Sequence, residues 1–238
     1  MKPANNLKLF LDGIRKAKKQ KRNRLFTDLI NKEMLGLEIG GSHNPIITKR
    51  DGWNIKTMDY TNTEELKKIN KSNPSVNYEL INDVDFVLID GDFQKTLTSY
   101  GDYKFDYIIS SHVIEHTTSV ISYCKMLETH LKEDGIAIMA IPNKLTCFDF
   151  FKPLSTTADA ISNFENKKSK HSNHKIRTML INNIHINGKD GWEGYQSING
   201  YRFQHDLESL NEKYEELMNA KQFIIENEFI TYSKSQIK

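Results

Sequence analysis

Short apolar runs recur along the first part of the chain. The first is Met34–Gly41, and the others are Asn54–Tyr60, Val84–Asp90, Phe105–Ser110 and Gly135–Ile141. Short apolar runs bounded by turn residues are typical of buried strands. Polar segments that can form helices or connecting loops separate them. The pattern therefore predicts five buried strands in series.

An amphipathic helix is predicted between the fourth and fifth strands. Its apolar positions recur at helical spacing, at Val120, Cys124, Leu127 and Leu131. An Asp-Gly pair at residues 134–135 provides a stop. Strands that alternate with helices favour right-handed crossovers and a parallel sheet. Ligands of such sheets bind at the carboxyl ends of the strands, so functional residues should lie just after each strand.

The apolar pattern weakens beyond Pro142, where the chain is predicted to be irregular or helical. Glycines and aromatic residues at Gly188–Tyr195 indicate an ordered loop. A charged helical stretch follows from about Leu207 to Ala220, and the last strand candidate is Gln222–Tyr232.

Composition excludes several classes of protein. Hydrophobic residues make up 38% of the 238 residues and aromatic residues 10%, which excludes a mainly disordered chain. No run approaches the roughly 20 apolar residues of a membrane span, and the N-terminus lacks the apolar stretch of a signal peptide, so a cytoplasmic protein is expected. The two cysteines, Cys124 and Cys147, cannot form a disulfide framework or a four-thiolate zinc site. Both are expected to be buried thiols.

Positive charge is concentrated at the N-terminus. Residues 1–32 hold ten Lys or Arg and two acids, a net charge of +8, whereas the whole chain carries +2. A basic helix from about Leu7 to Asn31 could contact a nucleic acid, a membrane surface or the phosphates of a substrate. We favour a simpler interpretation, in which this helix caps the domain and presents a solvated face.

Acids and glycines at the ends of the first two strands predict a cofactor. Glu38–Ser42 places an acid before a glycine turn, which lets the backbone approach a ligand closely. Asp59 closes the second strand, a position from which an acid accepts hydrogen bonds from ribose hydroxyls. The glycine fingerprint of a dinucleotide site is incomplete and Pro45 interrupts it. An adenosine cofactor without a pyrophosphate, S-adenosylmethionine, fits better.

These motifs resemble those of class I S-adenosylmethionine-dependent methyltransferases, over about residues 34–145. Asp90-Gly91-Asp92 resembles the loop that contacts adenine, and Phe105–His116, with the sequence FDYIISSHVIEH, resembles the signature of the small-molecule branch. Leu131–Gly135 resembles the usual entry to strand five. The cofactor contacts that the resemblance and the strand ends imply are Glu38, Gly40, Gly41, Ser42, Asp59, Tyr60, Asp90, Gly91, Ser111 and His112.

The resemblance also implies the architecture. It implies an α/β fold, with a Rossmann-like parallel-core sheet, helices on both faces and an insert after strand five. The corresponding division is a basic helical cap (1–32), a cofactor-binding core (33–147) and an acceptor-binding insert with a C-terminal strand (148–238), all within a single domain. The fold normally adds an antiparallel pair of strands after strand five, and the sequence shows one good candidate.

A narrower resemblance concerns Ile141–Ser155. This segment is similar to methyltransferases of bacterial surface-polysaccharide biosynthesis, including those that act on nucleotide-linked heptoses for capsules. A sugar O-methyltransferase with a nucleotide-sugar substrate is therefore expected. A sugar hydroxyl must lose its proton during methylation, and histidine is well suited to accept it.

The candidate catalytic residues are His112, Asp149 and His174. Trp192 and Tyr195 are candidates for stacking on the substrate. His112 could instead contact the methionine end of the cofactor, and Glu115 and His116 are expected to brace the loop. No tight spacing of ligands indicates a metal site.

Two other functions stay open at this point. One is a methyltransferase that acts on RNA or another small molecule, and the other is a non-catalytic scaffold that binds the cofactor. Only the basic helix favours RNA, so a nucleic-acid partner is not expected. A homodimer is possible.

Overall fold

The computed structural model describes residues 20–71, 73, 76–149, 151–186, 189–190, 201–203 and 205–219. The strands of its main sheet are β1 (Gly36–Ile39), β2 (Ile55–Asp59), β3 (Phe86–Val87), β4 (Phe105–Ser111) and β5 (Leu131–Ala140). They lie in the order β3-β2-β1-β4-β5, and every neighbouring pair is parallel. The order in which strands are added to the sheet reverses between β1 and β4, so their carboxyl ends flank the switch point at which such sheets bind ligands. The predicted α/β fold is confirmed.

Seven helices are described around this sheet and after it. They are α1 (residues 20–27), α2 (Thr63–Ile69), α3 (Phe93–Tyr100), α4 (Val120–His130), α5 (Thr157–Glu165), α6 (Asn173–Asn182) and α7 (Leu207–Asn219). Side-chain N-caps fix where five of them begin, because each cap accepts a hydrogen bond from a backbone N–H of the first turn. These caps are Asn62, Asp92, Ser119, Thr156 and Ser172.

The sheet carries a separate apolar cluster on each face. Leu37 and Ile108 belong to one cluster, together with side chains from α3, α4 and α5. Tyr107 and Ile109 belong to the other, which Phe26 of α1 joins. Successive residues of a strand point to opposite faces, so β4 supplies both clusters. Helices therefore cover both faces, as predicted.

The apolar stripe of α4 differs from the predicted one. Its buried positions are Val120, Tyr123, Met126, Leu127 and His130. Cys124 is exposed, because it lies at the side of the apolar stripe that runs through positions 120, 123 and 127. The expectation of two buried thiols is therefore wrong for Cys124 and confirmed for Cys147.

The boundary between α4 and β5 was also misplaced by the sequence. The helix ends at His130, and Leu131 already has extended dihedral angles and begins β5, well before the Asp-Gly stop. Most of β5 is exposed or half-buried, because it lies at the edge of the five-stranded sheet. The prediction of five buried strands is wrong for this one.

The region after β5 contains three short strands within the polar insert, where the apolar pattern predicts an irregular or helical segment. β6 (Ile184–Ile186), β7 (Lys189–Asp190) and β8 (Tyr201–Phe203) form an antiparallel sheet in the order β7-β6-β8. Helices α6 and α7 pack together through a small apolar cluster that includes Ile176 and Leu210. The helix predicted near Leu207 is confirmed. The strand candidate Gln222–Tyr232 lies outside the described residues.

The described end of the basic N-terminal segment packs against the core. Phe26 and Ile30 are buried, while Leu25 and Leu29 are exposed. The Asn23 side chain donates to the Ile46 carbonyl at 2.7 Å, which attaches α1 to the loop after β1. Residues 1–19 lie outside the described part. Within the described part, no helix is long and apolar enough to cross a membrane.

Candidate functional site

The turn after β1 is a tight glycine turn at the edge of the sheet. Gly40 has φ of +69° and Ser42 has φ of +42°, both in the left-handed region. A Cβ added to Gly40 would lie 2.6 Å from Cγ2 of Val113, closer than carbon atoms can pack. Glycine is therefore required at position 40 for two reasons, the backbone conformation and the close approach of the loop after β4.

Asp59 holds this turn against the end of β2. Its Oδ2 accepts a hydrogen bond from the Ser42 N–H at 2.8 Å, and its Oδ1 accepts one from the Tyr60 N–H at 2.9 Å. The side chain is only 6% exposed. The carboxylate that the sequence assigns to ribose binding thus also fixes the two backbone turns beside it.

Glu38 lies behind the turn. It is 2% exposed, and its Oε1 accepts a hydrogen bond from the Ile46 N–H at 2.7 Å. Burial raises the pKa of the Glu38 carboxyl to about 7, although the hydrogen bond opposes the shift. Glu38 therefore anchors the segment that follows the glycine turn.

The turn after β3 contributes backbone to the site. Asp90 and Gly91 have φ of +54° and +71°, and Asp92 caps α3 by accepting from the Lys95 N–H at 2.9 Å. The exposed Asp90 carboxylate pairs with Lys95 Nζ at 2.5 Å, which lowers its pKa. Gly91 faces the site, whereas the Asp90 side chain points to solvent.

His112 is the first residue beyond β4. Its φ is +58°, an unusual value for a residue other than glycine, and its N–H donates to the Ala140 carbonyl of β5 at 2.9 Å. The side chain is 47% exposed. A constrained, left-handed histidine at the switch point is the kind of backbone feature that often marks a functional site.

These turns enclose a cavity of about 230 Å³ at the carboxyl edge of the sheet. Its apolar wall consists of Ile39, Met58, Leu88, Phe93 and Val113. Six of the residues predicted from the sequence line it, namely Gly40, Ser42, Asp59, Tyr60, Gly91 and His112. Four others are not among its lining residues, namely Glu38, Gly41, Asp90 and Ser111.

A segment between α5 and α6 closes one side of this cavity. The hydroxyl of Thr118 donates to the Lys168 carbonyl at 2.7 Å, and His171 Nε2 lies 3.2 Å from the His116 carbonyl oxygen. Ser169 and His171 line the cavity. We call residues 166–171 the strap. The sequence predicts an insert after strand five that binds the acceptor, but it does not single out residues 166–171, because this contact depends on how the insert folds back over the sheet.

The cavity contains three histidines that differ in their surroundings. Burial lowers the pKa of His171 to about 4, and it also lowers the pKa of His116. His112 is the most exposed of the three to solvent. His112 is therefore the histidine of this cavity that a bound molecule can reach most easily.

The remaining predicted site residues lie elsewhere. Asp149 is 2% exposed and its Oδ2 lies 3.6 Å from Nζ of Lys152, which is 3% exposed. Burial lowers the pKa of Lys152 to about 8, and Asp149 opposes that shift. His174 is exposed on α6. Trp192 and Tyr195 lie outside the described residues.

Comparison with known proteins identifies the family. The model of a family described as a methyltransferase domain matches residues 10–191, more than half of the chain. The protein belongs to this methyltransferase family. S-adenosylmethionine, the cofactor expected from the sequence motifs, is compatible with a methyltransferase domain. No curated protein matches the sequence.

Solved structures show distant similarity. A glycopeptide N-methyltransferase, MtfA, is 13% identical with a TM-score of 0.36, over 52% of this chain and 54% of that protein. A coclaurine N-methyltransferase bound to N-methylheliamine and S-adenosylhomocysteine is 14% identical with a TM-score of 0.32, over 51% and 35%. A methyltransferase from Clostridium acetobutylicum is 14% identical with a TM-score of 0.38, over 65% and 63%. In each case the matched part is less than two thirds of the other protein.

The cavity of this methyltransferase suits S-adenosylmethionine. Gly40 lines it without a side chain, Asp59 supplies a carboxylate that can accept hydrogen bonds from hydroxyl groups, and the apolar wall suits an adenine ring. Within the described residues, no group of three or more His, Cys, Asp or Glu side chains is arranged to hold a metal ion.

Proposed function

We propose that the protein is an O-methyltransferase that acts on a sugar hydroxyl. The observation that carries this proposal is His112, a solvent-accessible histidine held by backbone constraint at the mouth of the cofactor cavity. A hydroxyl needs a base during methylation, because it is not ionised at neutral pH. The other two histidines of the cavity are poorer bases, since burial lowers the pKa of both.

In this mechanism the cavity aligns the reactants and His112 receives the proton. Asp59 and the backbone of the Gly40 turn would hold the cofactor. When bound, S-adenosylmethionine supplies a methyl group on a positively charged sulfur. Ring nitrogen Nε2 of His112 accepts the proton of the acceptor hydroxyl as the methyl ether forms. The strap at residues 166–171 excludes water from one side, so alignment of the two reactants contributes to the rate.

The proposed acceptor is a nucleotide-linked heptose of capsular polysaccharide biosynthesis. The support is the resemblance of Ile141–Ser155 to methyltransferases of that process. In this proposal residues 148–238 bind the acceptor, with Trp192 and Tyr195 stacking on it. Asp149 is only 2% exposed and lies beside Lys152. In this proposal it therefore holds the acceptor-binding region in place through that ion pair.

The proposal is tested by incubating the protein with S-adenosylmethionine and a panel of nucleotide-heptoses. The expected product is a nucleotide-sugar heavier by one methyl group, detected by mass spectrometry. His112→Asn keeps a polar side chain but removes the base, so it should lower turnover by roughly 10²–10⁴ while the cofactor still binds. Methylation of amine acceptors alone, or full turnover by His112→Asn, would contradict the proposal.

A further inference from the structure

Glu115 is a buried carboxylate next to the proposed base. It is 1% exposed, and neither of its oxygens receives a well-aligned hydrogen bond from a described residue. Its Oε1 lies 3.3 Å from Nδ1 of His112. A charged carboxylate is costly to bury without a partner. The imidazole of His112 is positioned to become that partner with a small adjustment of the ring.

The backbone around the pair is well fixed. His112 N–H donates to the Ala140 carbonyl at 2.9 Å, and Glu115 lies in a short 3₁₀ turn, Ile114–His116. The hydroxyl of Thr117 donates to the Ile114 carbonyl at 2.9 Å, which ties the end of that turn. These contacts fix the backbone on both sides of the pair, and the two side chains approach each other from positions three residues apart.

We infer that Glu115 is a positioning residue for His112, whose carboxylate holds Nδ1 of the imidazole and presents Nε2 to the acceptor hydroxyl. A carboxylate on one ring nitrogen fixes the tautomer and stabilises the imidazolium that forms when the other nitrogen takes a proton. The acceptor oxygen gains the methyl carbon and loses its proton to Nε2, so the products are a methyl ether, an imidazolium and the neutral thioether of the spent cofactor. This inference rests on the proposed function.

Other ionisable groups face this pair. His116 lies on the same turn, and Asp149 and Lys152 approach from the segment after β5. Lys152 Nζ lies 3.6 Å from the Asp149 carboxylate, so these two residues form an ion pair with each other. His116 is another group that Glu115 could support, because the carboxylate favours the protonated form of that ring. The test must therefore show whether Glu115 acts through His112 or through His116.

The first measurement uses the unaltered full-length protein with S-adenosylhomocysteine and ¹⁵N-labelled histidine. The ¹⁵N shifts of an imidazole distinguish the protonated from the unprotonated ring nitrogen. We expect neutral His112 to carry its proton on Nδ1, and Glu115→Leu to shift the ring toward the Nε2–H form. His112→Asn assigns the signals of this ring. A neutral His112 that carries its proton on Nε2 in the unaltered protein overturns the inference.

The second measurement is turnover of Glu115→Gln, His112→Asn and the double variant on an acceptor from the nucleotide-sugar panel. We expect Glu115→Gln to lower kcat by at least about tenfold, with little change in cofactor affinity or acceptor KM. The double variant should turn over at the rate of His112→Asn, because the carboxylate acts through that ring. Glu128→Gln, which removes an exposed carboxylate from α4, is the matched control and should leave kcat unchanged.

The outcomes separate this inference from the proposed function. If His112→Asn keeps full turnover, the assignment of the base fails. If His112→Asn loses turnover and Glu115→Gln does not, the base stands and the role of Glu115 is refuted. If the losses of the two single variants multiply in the double variant, Glu115 acts independently of His112, for example through His116, and the inference is also refuted.

Discussion

At the scale of single residues, several residues of the site fix the backbone around the cavity. Asp59 holds the Ser42 and Tyr60 N–H groups, and Gly40 makes room for Val113. His112 adopts a left-handed conformation at the end of β4. A substitution at one of these residues changes both the shape of the cavity and the groups that line it. Each prediction therefore needs a control variant that separates a structural effect from a loss of binding or catalysis.

Asp59→Ala should remove most of the affinity for the cofactor. Charge-assisted hydrogen bonds contribute roughly 1.5–3 kcal/mol each, and the variant loses those to the ligand as well as those that hold the turn. Isothermal titration calorimetry with S-adenosylhomocysteine measures the loss. Glu79→Gln, in an exposed ion pair with Arg50, is the control and should bind normally. Unchanged affinity of Asp59→Ala would refute its role.

Gly40→Ala should destabilise the protein and weaken cofactor binding. A left-handed alanine costs about 1–2 kcal/mol, and contact with Val113 adds to this. Gly52→Ala is a matched control, because Gly52 has φ of +80° but its Cβ would meet nothing closer than Lys32 Nζ at 4.0 Å. Urea unfolding should show a larger loss for Gly40→Ala than for Gly52→Ala, and Val113→Ala should restore part of the difference. Equal losses would show that the close contact is unimportant.

The buried Glu38 should make stability depend on pH. Its pKa is raised in the folded protein to about 7, above the unfolded value of about 4.5, because burial disfavours the charged form. The folded state therefore binds this proton more tightly than the unfolded state does. The stabilisation from the protonated carboxyl is complete below the unfolded pKa and is lost as pH rises through 7. Urea unfolding between pH 4.5 and 8 should show this decline, of the order of 3 kcal/mol, and Glu38→Gln should reduce it. An identical pH dependence in both proteins would contradict this assignment.

At the scale of elements, the strap connects the insert to the cofactor cavity. Its contacts include the hydrogen bond from Thr118 to the Lys168 carbonyl and the approach of His171 to the His116 carbonyl. Weakening such a contact should favour opening of the strap, and a cofactor in the cavity needs an opening to enter and leave.

Thr118→Val should therefore speed release of the cofactor. The substitution keeps the shape of the side chain and removes one hydrogen bond, worth about 0.5–1.5 kcal/mol. Stopped-flow displacement of S-adenosylhomocysteine should show faster dissociation. The control is Thr129→Val, which removes a similar hydrogen bond to the Lys125 carbonyl on the exposed side of α4. Equal dissociation rates for Thr118→Val and the unaltered protein would show that the strap does not limit release.

At the scale of the whole molecule, the sequence predicted those features that are encoded locally. Apolar runs closed by Gly40 or Asp59 identified strands and ligand-facing turns, because the same residues end the strand and form the site. The exposed edge of β5 and the strap over the cavity depend on contacts between distant segments. His171 therefore could not be placed in the cavity from its sequence, and neither could the burial of Asp149 beside Lys152.

The most direct test of the account follows the methyl group itself. The protein is incubated with S-adenosylmethionine labelled with ¹³C in its methyl group and with a nucleotide-heptose, and the product is examined by ¹³C NMR. The account predicts one new signal of a methyl group on oxygen, lost in His112→Asn while the cofactor still binds. A methyl group on nitrogen or carbon, or an O-methyl product formed at the same rate by His112→Asn, would contradict it.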